Sequence, residues 1–335
     1  MFLFHAITWK GSSHLSSEKL SRKFVYIGFI PLAFVVGAIA NVLNCLVFCR
    51  QGLSDRINLC LFSLALSDLV YLTALMVRNL EKLLALVVGK WIASLWLEKL
   101  IQFRLLAMYS GFVLVSNFLA SLISVERCLC VVSPLKARAY LPMRLMLTFI
   151  IIGSVLILTG TQFLAFMYDV TCTVYIGPDR NQSDIMIIAS DVYRDNRLLM
   201  DVLDTFVFAS IVPNTSVIIT AVTTVITAVK LKAVVRQRKQ LACSQTFSLK
   251  EVAVTRMLIV ISGIYIACVS PRVMYSVVQF IVAEFRVWGS LCNLAIVCDA
   301  VSNASLALHS AANFFVYFTM GTRFRLTLRR TVHSA

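Results

Sequence analysis

Charged residues are scarce in this chain. Only 14% of its 335 residues are Asp, Glu, Lys or Arg, and 59% are apolar, whereas a soluble domain has about 25% charged and about 45–50% apolar residues. This balance excludes a disordered chain, an ordinary cytosolic enzyme and a nucleic-acid-binding domain. The net charge of +15 is explained instead by the excess Lys and Arg that membrane proteins carry in their loops.

Residue patterns that bind metals or perform catalysis are also missing. The four histidines are scattered, and most of the ten cysteines lie within apolar runs, without a Cys-x-x-Cys pair. A cysteine in such a run behaves as a small buried apolar residue. No Ser/His/Asp, Cys/His or phosphate-loop spacing occurs, so we expect neither an enzyme nor a metal site.

Long apolar runs, in contrast, recur along the chain. They cover residues 24–49, 57–79, 101–131, 145–167, 199–229, 252–282 and 288–319. Because about 20 apolar residues span the hydrocarbon core of a bilayer, we predict an all-α membrane protein that forms a seven-transmembrane helix bundle. A further apolar stretch, 84–97, is split by Lys90. We interpret it as an interfacial loop with Trp91 and Trp96 in the aromatic belt, and an eighth span is the alternative.

A carboxylate lies near the middle of the second run, where Asp68 occurs in LALSDLVYL. A charge at that depth costs about 2.5–3.5 kcal/mol on insertion scales. Asp68 is therefore either protonated or hydrogen-bonded to Ser and Asn neighbours, or part of an interior ion or proton site. An ion path would suit a transporter or channel, but no fixed-period repeat of the kind found in transporters with duplicated halves is visible.

The third run ends in an acid–base pair, Glu126-Arg127, which Pro134-Leu135 follows after a short interval. The proline is expected to end the helix and begin a short basic loop. Taken alone, the pair also fits an arginine that extends its charged end to the membrane surface.

These residues resemble the rhodopsin-like (class A) G-protein-coupled receptors, which have an acid-Arg-aromatic triplet and then Pro-Leu at this place. Further residues match the family's motifs in order along the chain. They are Asn41 in the first run, Asp68 in the second, Pro213 in the fifth, Cys268 and Pro271 in the sixth, Asn313 and Tyr317 in the seventh, and Phe324 after it. Each motif is short, and their order across seven runs makes the resemblance specific.

The resemblance implies a plasma-membrane receptor whose N-terminus is outside and which activates a heterotrimeric G protein when its sixth helix moves outward. Residues 1–23 would be the extracellular N-terminus, 24–319 the bundle, and 320–335 a short amphipathic helix and cytoplasmic tail. In the inactive family member the arginine pairs with the neighbouring acid and with an acid of the sixth helix. The matching residues here are Glu126, Arg127 and Glu251, although Glu251 also fits a solvated loop acid.

Two further features concern ions and lipids. The family's sodium pocket maps onto Asp68, Ser116, His309 and Asn313, so Na⁺ at Asp68 is the one cofactor suggested. His309 stands where an asparagine is common, which leaves a pH-sensitive site or a core histidine as alternatives. After the seventh run, arginines alternate with apolar residues, a pattern typical of an amphipathic helix on anionic membrane lipids.

Several positions depart from the family pattern. The aromatic residue of the triplet is Cys128, the tryptophan of the sixth helix is Val269, and the proline of the seventh is Phe314. The cysteine expected on the third helix is Gln102, so the usual disulfide to Cys172 in the second outer loop is lost. Cys292 is then the other candidate partner for Cys172. These losses raise the alternative of a non-signalling partner subunit.

Two absences limit the ligand class that the resemblance implies. Tyr109 replaces the aspartate that holds amines, and Ala307 replaces the lysine that carries retinal. Candidate pocket residues lie in the outer halves of their helices, and they are Gln102, Tyr109, Arg272, Tyr275, Asp299 and Asn303. Arg272 is expected to face the bundle, where it either binds a ligand carboxylate or pairs with Asp299 or Asp204.

The second outer loop, residues 168–198, is polar and rich in aspartate. It either steers a cationic peptide or is simply solvated. It also contains an N-glycosylation sequon at Asn181. The segment SAANFFVYF resembles the end of the seventh helix in peptide receptors, which favours a neuropeptide ligand, whereas the eroded motifs resemble invertebrate chemosensory receptors for small molecules.

Overall fold

The computed structural model describes residues 24–176, 181–240, 249–282, 284–285 and 290–333. Within this part of the chain, seven helices are long and apolar enough to cross a membrane. In chain order they are Phe24–Gln51, Arg56–Val87, Leu106–Val132, Met143–Met167, Arg197–Arg236, Val252–Gln279 and Cys292–Met320. The seven predicted spans are therefore confirmed, and we refer to these helices as the first to the seventh.

Shorter elements connect the seven helices. The regular α-helical parts of the fifth and sixth extend to Val212–Gln240 and Leu249–Ile281. The first begins with a π-helical segment, Phe24–Phe29, and the fifth contains another, Val202–Ile211. The remaining described elements are the helices Lys90–Gln102, Pro134–Tyr140, Asp191–Asp195 and Thr322–His333 and the antiparallel strands β1 (Tyr168–Ile176) and β2 (Asn181–Ala189).

The interfacial loop predicted over 84–97 is helical in the structure. The second helix continues to Val87, and Gly89 turns the chain with φ +119°, which favours glycine, into the helix Lys90–Gln102. At 13 residues this connecting helix is too short to cross a bilayer. Trp96 donates a hydrogen bond from its indole to the Val77 carbonyl at 3.0 Å, and Trp91 is half exposed.

Two other connections also differ from the sequence-based expectation. The segment after the third helix is the short helix Pro134–Tyr140 rather than a loop, since proline at its first position supplies a φ suited to a helix start. Residues 168–198 contain a β-hairpin, with Tyr168 opposite Ala189 and Ile176 opposite Asn181. The β-branched residues in VTCTVYI and DIMIIA favour these strands.

The third helix lies at the centre of the bundle and packs against the second, fourth and fifth. The first helix packs against the second and seventh, and the seventh against the sixth. On the fourth helix, Ile151, Ile152, Val155 and Leu156 are exposed, as expected where a helix faces lipid. This arrangement directs the polar residues of the second, third and seventh helices into the interior.

The predicted amphipathic helix is confirmed as Thr322–His333. Phe324 is buried, with its ring centroid 5.7 Å from that of Phe48 and 5.6 Å from that of Tyr317. Because Phe48 and Tyr317 lie on the first and seventh helices, these ring contacts hold the C-terminal helix against the bundle.

Candidate functional site

The polar centre of the bundle is built around Asp68, which is fully buried. One carboxylate oxygen accepts hydrogen bonds from the hydroxyls of Ser116 at 2.8 Å and Ser310 at 3.1 Å. The other accepts from the Asn313 amide at 3.0 Å. The second, third and seventh helices thus meet at one carboxylate, and the expectation of Ser and Asn neighbours is confirmed.

The structure separates His309 from this cluster. Asp68 receives no hydrogen bond from His309, whose ring packs edge-on against Tyr265 with centroids 5.4 Å apart. The residue missed from the sequence is Ser310. Ser310 lies three positions before Asn313 and His309 lies four positions before it, and residues at either spacing share a helix face. The spacing alone therefore does not decide between Ser310 and His309.

The oxygen atoms at this centre suit a hard cation. They come from a carboxylate, two hydroxyls and the Asn313 amide, whose Oδ1 is buried and has no hydrogen-bond partner among the described residues. Oxygen ligands of this type are those that hard metal cations prefer. Asp68, Ser116, Ser310 and Asn313 are therefore the residues able to hold such an ion.

A second buried carboxylate, Glu126, lies near the C-terminal end of the third helix. Both of its oxygens pair with the Arg127 guanidinium, and Arg127 Nη2 is 2.6 Å from Oε1. The Cys130 thiol donates to the same oxygen at 3.3 Å. Such a two-point contact fixes the direction of the guanidinium as well as its charge.

Arg56 is a further partner of Glu126 that the sequence did not identify. Its Nη2 is 3.8 Å from Glu126 Oε1, and its Nη1 donates to the carbonyls of Ala137 at 3.1 Å and Leu141 at 2.7 Å. Arg56 thereby links the second helix, the third helix and the helix Pro134–Tyr140. The Glu126 charge is shared between two arginines.

A polar crevice adjoins Arg127 between the third, fifth and sixth helices. It is lined by hydroxyls and a few apolar side chains, and its lining residues are Ser124, Arg127, Thr224, Thr227, Thr255, Leu258, Ile259 and Ser262. The hydroxyls of Ser124 and Ser262 are 2.9 Å apart and join the third helix to the sixth. The Glu251 side chain lies outside the described part of the structure, so its pairing with Arg127 stays a prediction.

A third polar cluster lies in the half of the bundle away from the Glu126–Arg127 pair. Arg272 Nη1 is 2.7 Å from Asp299 Oδ1, and both side chains are buried. Asp299 Oδ2 also accepts from the Asn303 amide at 3.0 Å and from the Tyr26 hydroxyl at 3.5 Å. The guanidinium carbon of Arg272 lies 5.4 Å from the centroid of the Tyr275 ring. Of the two interpretations of Arg272, the structure shows the internal pair with Asp299.

Gln102 does not join this cluster. It is the last residue of the connecting helix rather than part of the third helix, which begins at Leu106. The expected position of Gln102 on the third helix is therefore wrong, and its role in ligand binding stays a prediction. Its side chain is exposed, donates to Glu98 at 2.8 Å and accepts from Lys99 at 2.9 Å. The 84–97 run is divided between the end of the second helix and the connecting helix Lys90–Gln102, and Gln102 ends the latter.

Two predictions concern residues of the hairpin of β1 and β2. They are the disulfide between Cys172 and Cys292 and the glycosylation of Asn181. Cys292 has a free thiol, so the disulfide with Cys172 is not formed. Cys172 lies in β1 and Asn181 is the first residue of β2. The side chains of both are outside the described part of the chain.

Arg78, in the same half of the bundle as Arg272 and Asp299, is a buried charged residue that the sequence-based reasoning overlooked. It ends the predicted second run, and only 9% of its surface is exposed. Its guanidinium carbon lies 4.4 Å from the centroid of the Tyr109 ring. One turn further out, the Lys82 ammonium lies 3.0 Å from the centroid of the Tyr26 ring. Both charged residues lie at or just after the end of the apolar run 57–79, and this position could have marked them as candidates.

Two of the positions that depart from the family pattern, Val269 and Phe314, pack against neighbouring side chains. Val269 is fully buried in one apolar cluster with Tyr109, Tyr265 and Ala307. Phe314 stacks on Phe318 with centroids 6.0 Å apart. The seventh helix is α-helical from Cys292 to Met320.

Comparison with known families agrees with this geometry. A family model described as 7 transmembrane receptor (rhodopsin family) matches residues 40–317. No curated protein gives a significant match to the chain. The matched region begins within the first helix, ends within the seventh, and includes the Asp68 centre and the Glu126–Arg127 pair. The chain belongs to the rhodopsin family of seven-transmembrane receptors.

Proposed function

We propose that the chain is a plasma-membrane receptor, with its N-terminus outside, that binds an extracellular ligand and activates a heterotrimeric G protein. Rhodopsin-family members are signalling receptors rather than enzymes. The observation that carries the proposal is Arg127, which is held by buried Glu126 beside a polar crevice at the inner end of the bundle.

The mechanism follows from what holds Arg127 in place. Glu126 directs its guanidinium along the third helix, while the Ser124–Ser262 contact keeps the sixth helix close. Outward movement of the sixth helix would separate the two hydroxyls and widen the crevice. A ligand drives this change only to the extent that it binds the open state more tightly than the closed state.

Sodium would bind at Asp68. The proposed ligands are Asp68, Ser116 and Asn313, as the resemblance implies, with Ser310 in place of His309. A cation there would compensate the buried carboxylate and favour the arrangement in which the second, third and seventh helices converge.

The proposed ligand is a peptide. The segment SAANFFVYF around Asn313 and Tyr317 supports a peptide, whereas the eroded motifs support a small chemosensory molecule. A non-signalling partner subunit is the second candidate function. It is favoured by Val269 and by Phe314, which leaves the seventh helix without the family's proline.

The function is tested in cells that express the chain with a promiscuous G protein. A peptide library and a panel of small metabolites are screened for calcium release. We expect an active compound whose response disappears in Arg127→Ala at unchanged surface level. Arg144→Ala, which removes an exposed arginine near the inner end of the fourth helix, should keep the response.

The outcomes separate the candidates. An unchanged response in Arg127→Ala contradicts the role given to Arg127. A response to peptides supports a peptide receptor, and a response to metabolites alone supports chemosensation. Silence across both panels, with surface expression confirmed, supports the partner subunit.

A further inference from the structure

The buried carboxylate of Glu126 needs neighbouring cations to compensate its charge. Its side chain is only 1% exposed, and within the described part of the chain two cations approach it: Arg127 in a two-point contact and Arg56 at 3.8 Å. Asp55 is a second acid near these arginines. It is exposed, and its carboxylate accepts the backbone N–H of Ile57 at 3.3 Å. If Arg127 left Glu126, the charge of Glu126 would therefore depend on Arg56.

Arg56 is placed for contacts outside its own helix. It is the first residue of the second helix, where a positive charge opposes the helix dipole. Its Nη1 donates to the carbonyls of Ala137 at 3.1 Å and Leu141 at 2.7 Å. These carbonyls lie at the C-terminal end of the helix Pro134–Tyr140, where a cation is favoured. The two bonds use both hydrogens of Nη1, so this nitrogen is fixed.

The other terminal nitrogen of Arg56 faces Glu126. This Nη2 lies 3.8 Å from Glu126 Oε1 and 4.0 Å from the Cys130 sulfur. A charge-assisted hydrogen bond from nitrogen to a carboxylate is about 2.7–2.9 Å long, so Nη2 is about 1 Å too far away to form one. Arg127 Nη2 contacts the same oxygen at 2.6 Å. Departure of Arg127 would free Oε1 for a closer approach by Arg56.

A buried carboxylate that loses its partner is strongly destabilising, because the remaining charge is uncompensated. If Arg127 turns from Glu126 toward the widened crevice to meet a G protein, this cost falls on the active state. A second cation that stands within about 1 Å of a direct contact and is held by two other bonds would reduce the cost with little rearrangement.

We propose that Arg56 is the replacement counter-ion of Glu126. When Arg127 leaves, Arg56 Nη2 closes onto Glu126 Oε1 while Nη1 keeps its bonds to the helix Pro134–Tyr140. Arg56 is thus a positioning residue that eases the release of Arg127 and connects this release to the short helix. The inference rests on the proposed receptor function, because the release of Arg127 belongs to the activation of that receptor.

The first test needs neither a ligand nor a G protein, because Arg127→Gln imitates the release of Arg127. The unfolding temperature of the purified full-length chain is measured with and without Arg56→Gln, both in the otherwise unchanged chain and in Arg127→Gln. We expect Arg56→Gln to lower the unfolding temperature by about 5 °C more in the Arg127→Gln chain, where Arg56 is left to balance Glu126. Arg56→Lys should keep part of this stability, because lysine retains the charge.

Two further variants identify the source of the extra loss. Glu126→Gln removes the charge and keeps the size of the side chain, so it should abolish the extra loss when it is combined with Arg127→Gln. Arg144→Gln removes an exposed arginine and should cause the same small shift with and without Arg127. If Arg56 only held the helix Pro134–Tyr140 in place, its removal would cost the same stability in both chains.

Four results would overturn the inference. They are equal losses in both chains, an extra loss that persists in Glu126→Gln, an equal extra loss with Arg144→Gln, and failure of Arg127→Gln alone to fold, which would show that Arg56 does not compensate Glu126. A chain that folds with either arginine replaced, fails to fold with both replaced and is rescued by Glu126→Gln would support it.

Guanine-nucleotide exchange by the same variants tests the connection to signalling. Arg56→Gln should lower exchange by about tenfold or more, because the active state loses a charge-assisted hydrogen bond, and its effect should be much smaller in Glu126→Gln. Unchanged exchange in Arg56→Gln would overturn the inference. Absence of exchange by the unaltered chain would refute the signalling function alone, since the unfolding temperatures still decide the role of Arg56.

Discussion

At the residue scale, Asp68 shows how a carboxylate is kept in an apolar bundle. Its three donors come from the third and seventh helices, and hydrogen bonds to an ionised group are each worth about 1.5–3 kcal/mol. That total exceeds the insertion cost of one carboxylate. The cluster is therefore stable without a cation, and an ion adds to it rather than replacing a missing partner.

Removal of the Asp68 charge is expected to abolish sodium-specific stabilisation. Sodium chloride should raise the unfolding temperature of the purified chain above that in choline chloride, by about 2–4 °C for each kcal/mol of binding free energy. In Asp68→Asn this difference should vanish, because the amide can still accept hydrogen bonds from the serine hydroxyls but no longer attracts a cation. Asp191→Asn, at a largely exposed position, is the matched control, and an equal sodium effect in both variants contradicts the site.

Residue contacts were predictable only where a family motif or a short spacing marked them. Asp68, Ser116 and Asn313 were placed together correctly, and so were Arg272 and Asp299 as one of two pairings. Ser310 and Arg56 were missed, since their contacts depend on which helix faces meet. Arg56 lies 70 positions before Glu126 in the sequence, and nothing local to either residue indicates the contact.

At the element scale, apolar length predicted the seven helices and left their connections undetermined. A membrane span needs about 20 apolar residues, and a run of that length is easily distinguished from the shorter apolar stretches elsewhere in the sequence. The connecting helix Lys90–Gln102 and the hairpin of β1 and β2 are shorter. The connecting helix depends on where the second helix ends, and the hairpin depends on pairing between the two strands. The hydropathy of single residues indicates neither.

The contact between the third and sixth helices is expected to favour the closed state. The Ser124–Ser262 hydrogen bond is worth about 1 kcal/mol net, so Ser124→Ala or Ser262→Ala should raise ligand-free nucleotide exchange by up to about fivefold. The double variant should show no further increase, because either change alone removes the same bond.

A neighbouring serine supplies the control for this contact. Ser121 is also on the third helix, and its hydroxyl donates to the Phe118 carbonyl of the same helix at 2.8 Å. Ser121→Ala should therefore leave ligand-free exchange unchanged. Additive effects of Ser124→Ala and Ser262→Ala would show that the two hydroxyls act independently, which contradicts the proposed tie.

At the scale of the whole molecule, the number of helices determines which segments share a side of the membrane. Four helices separate the N-terminal segment from the hairpin of β1 and β2, so both lie on the same side. Seven helices separate that segment from Thr322–His333, which therefore lies on the opposite side. Basic residues are divided about evenly between the two sides, so charge does not determine the orientation.

Glycosylation determines the orientation experimentally. The three sequons begin at Asn181, Asn214 and Asn303, and the last two lie inside the fifth and seventh helices, where the glycosylation machinery has no access. If the N-terminus is outside, the chain made in animal cells should carry glycan at Asn181 alone. Asn181→Gln should then migrate like the enzymatically deglycosylated chain, while Asn214→Gln should not. A chain without glycan whose C-terminal epitope is stained on intact cells would show the opposite orientation, and Arg127 would then face away from any G protein.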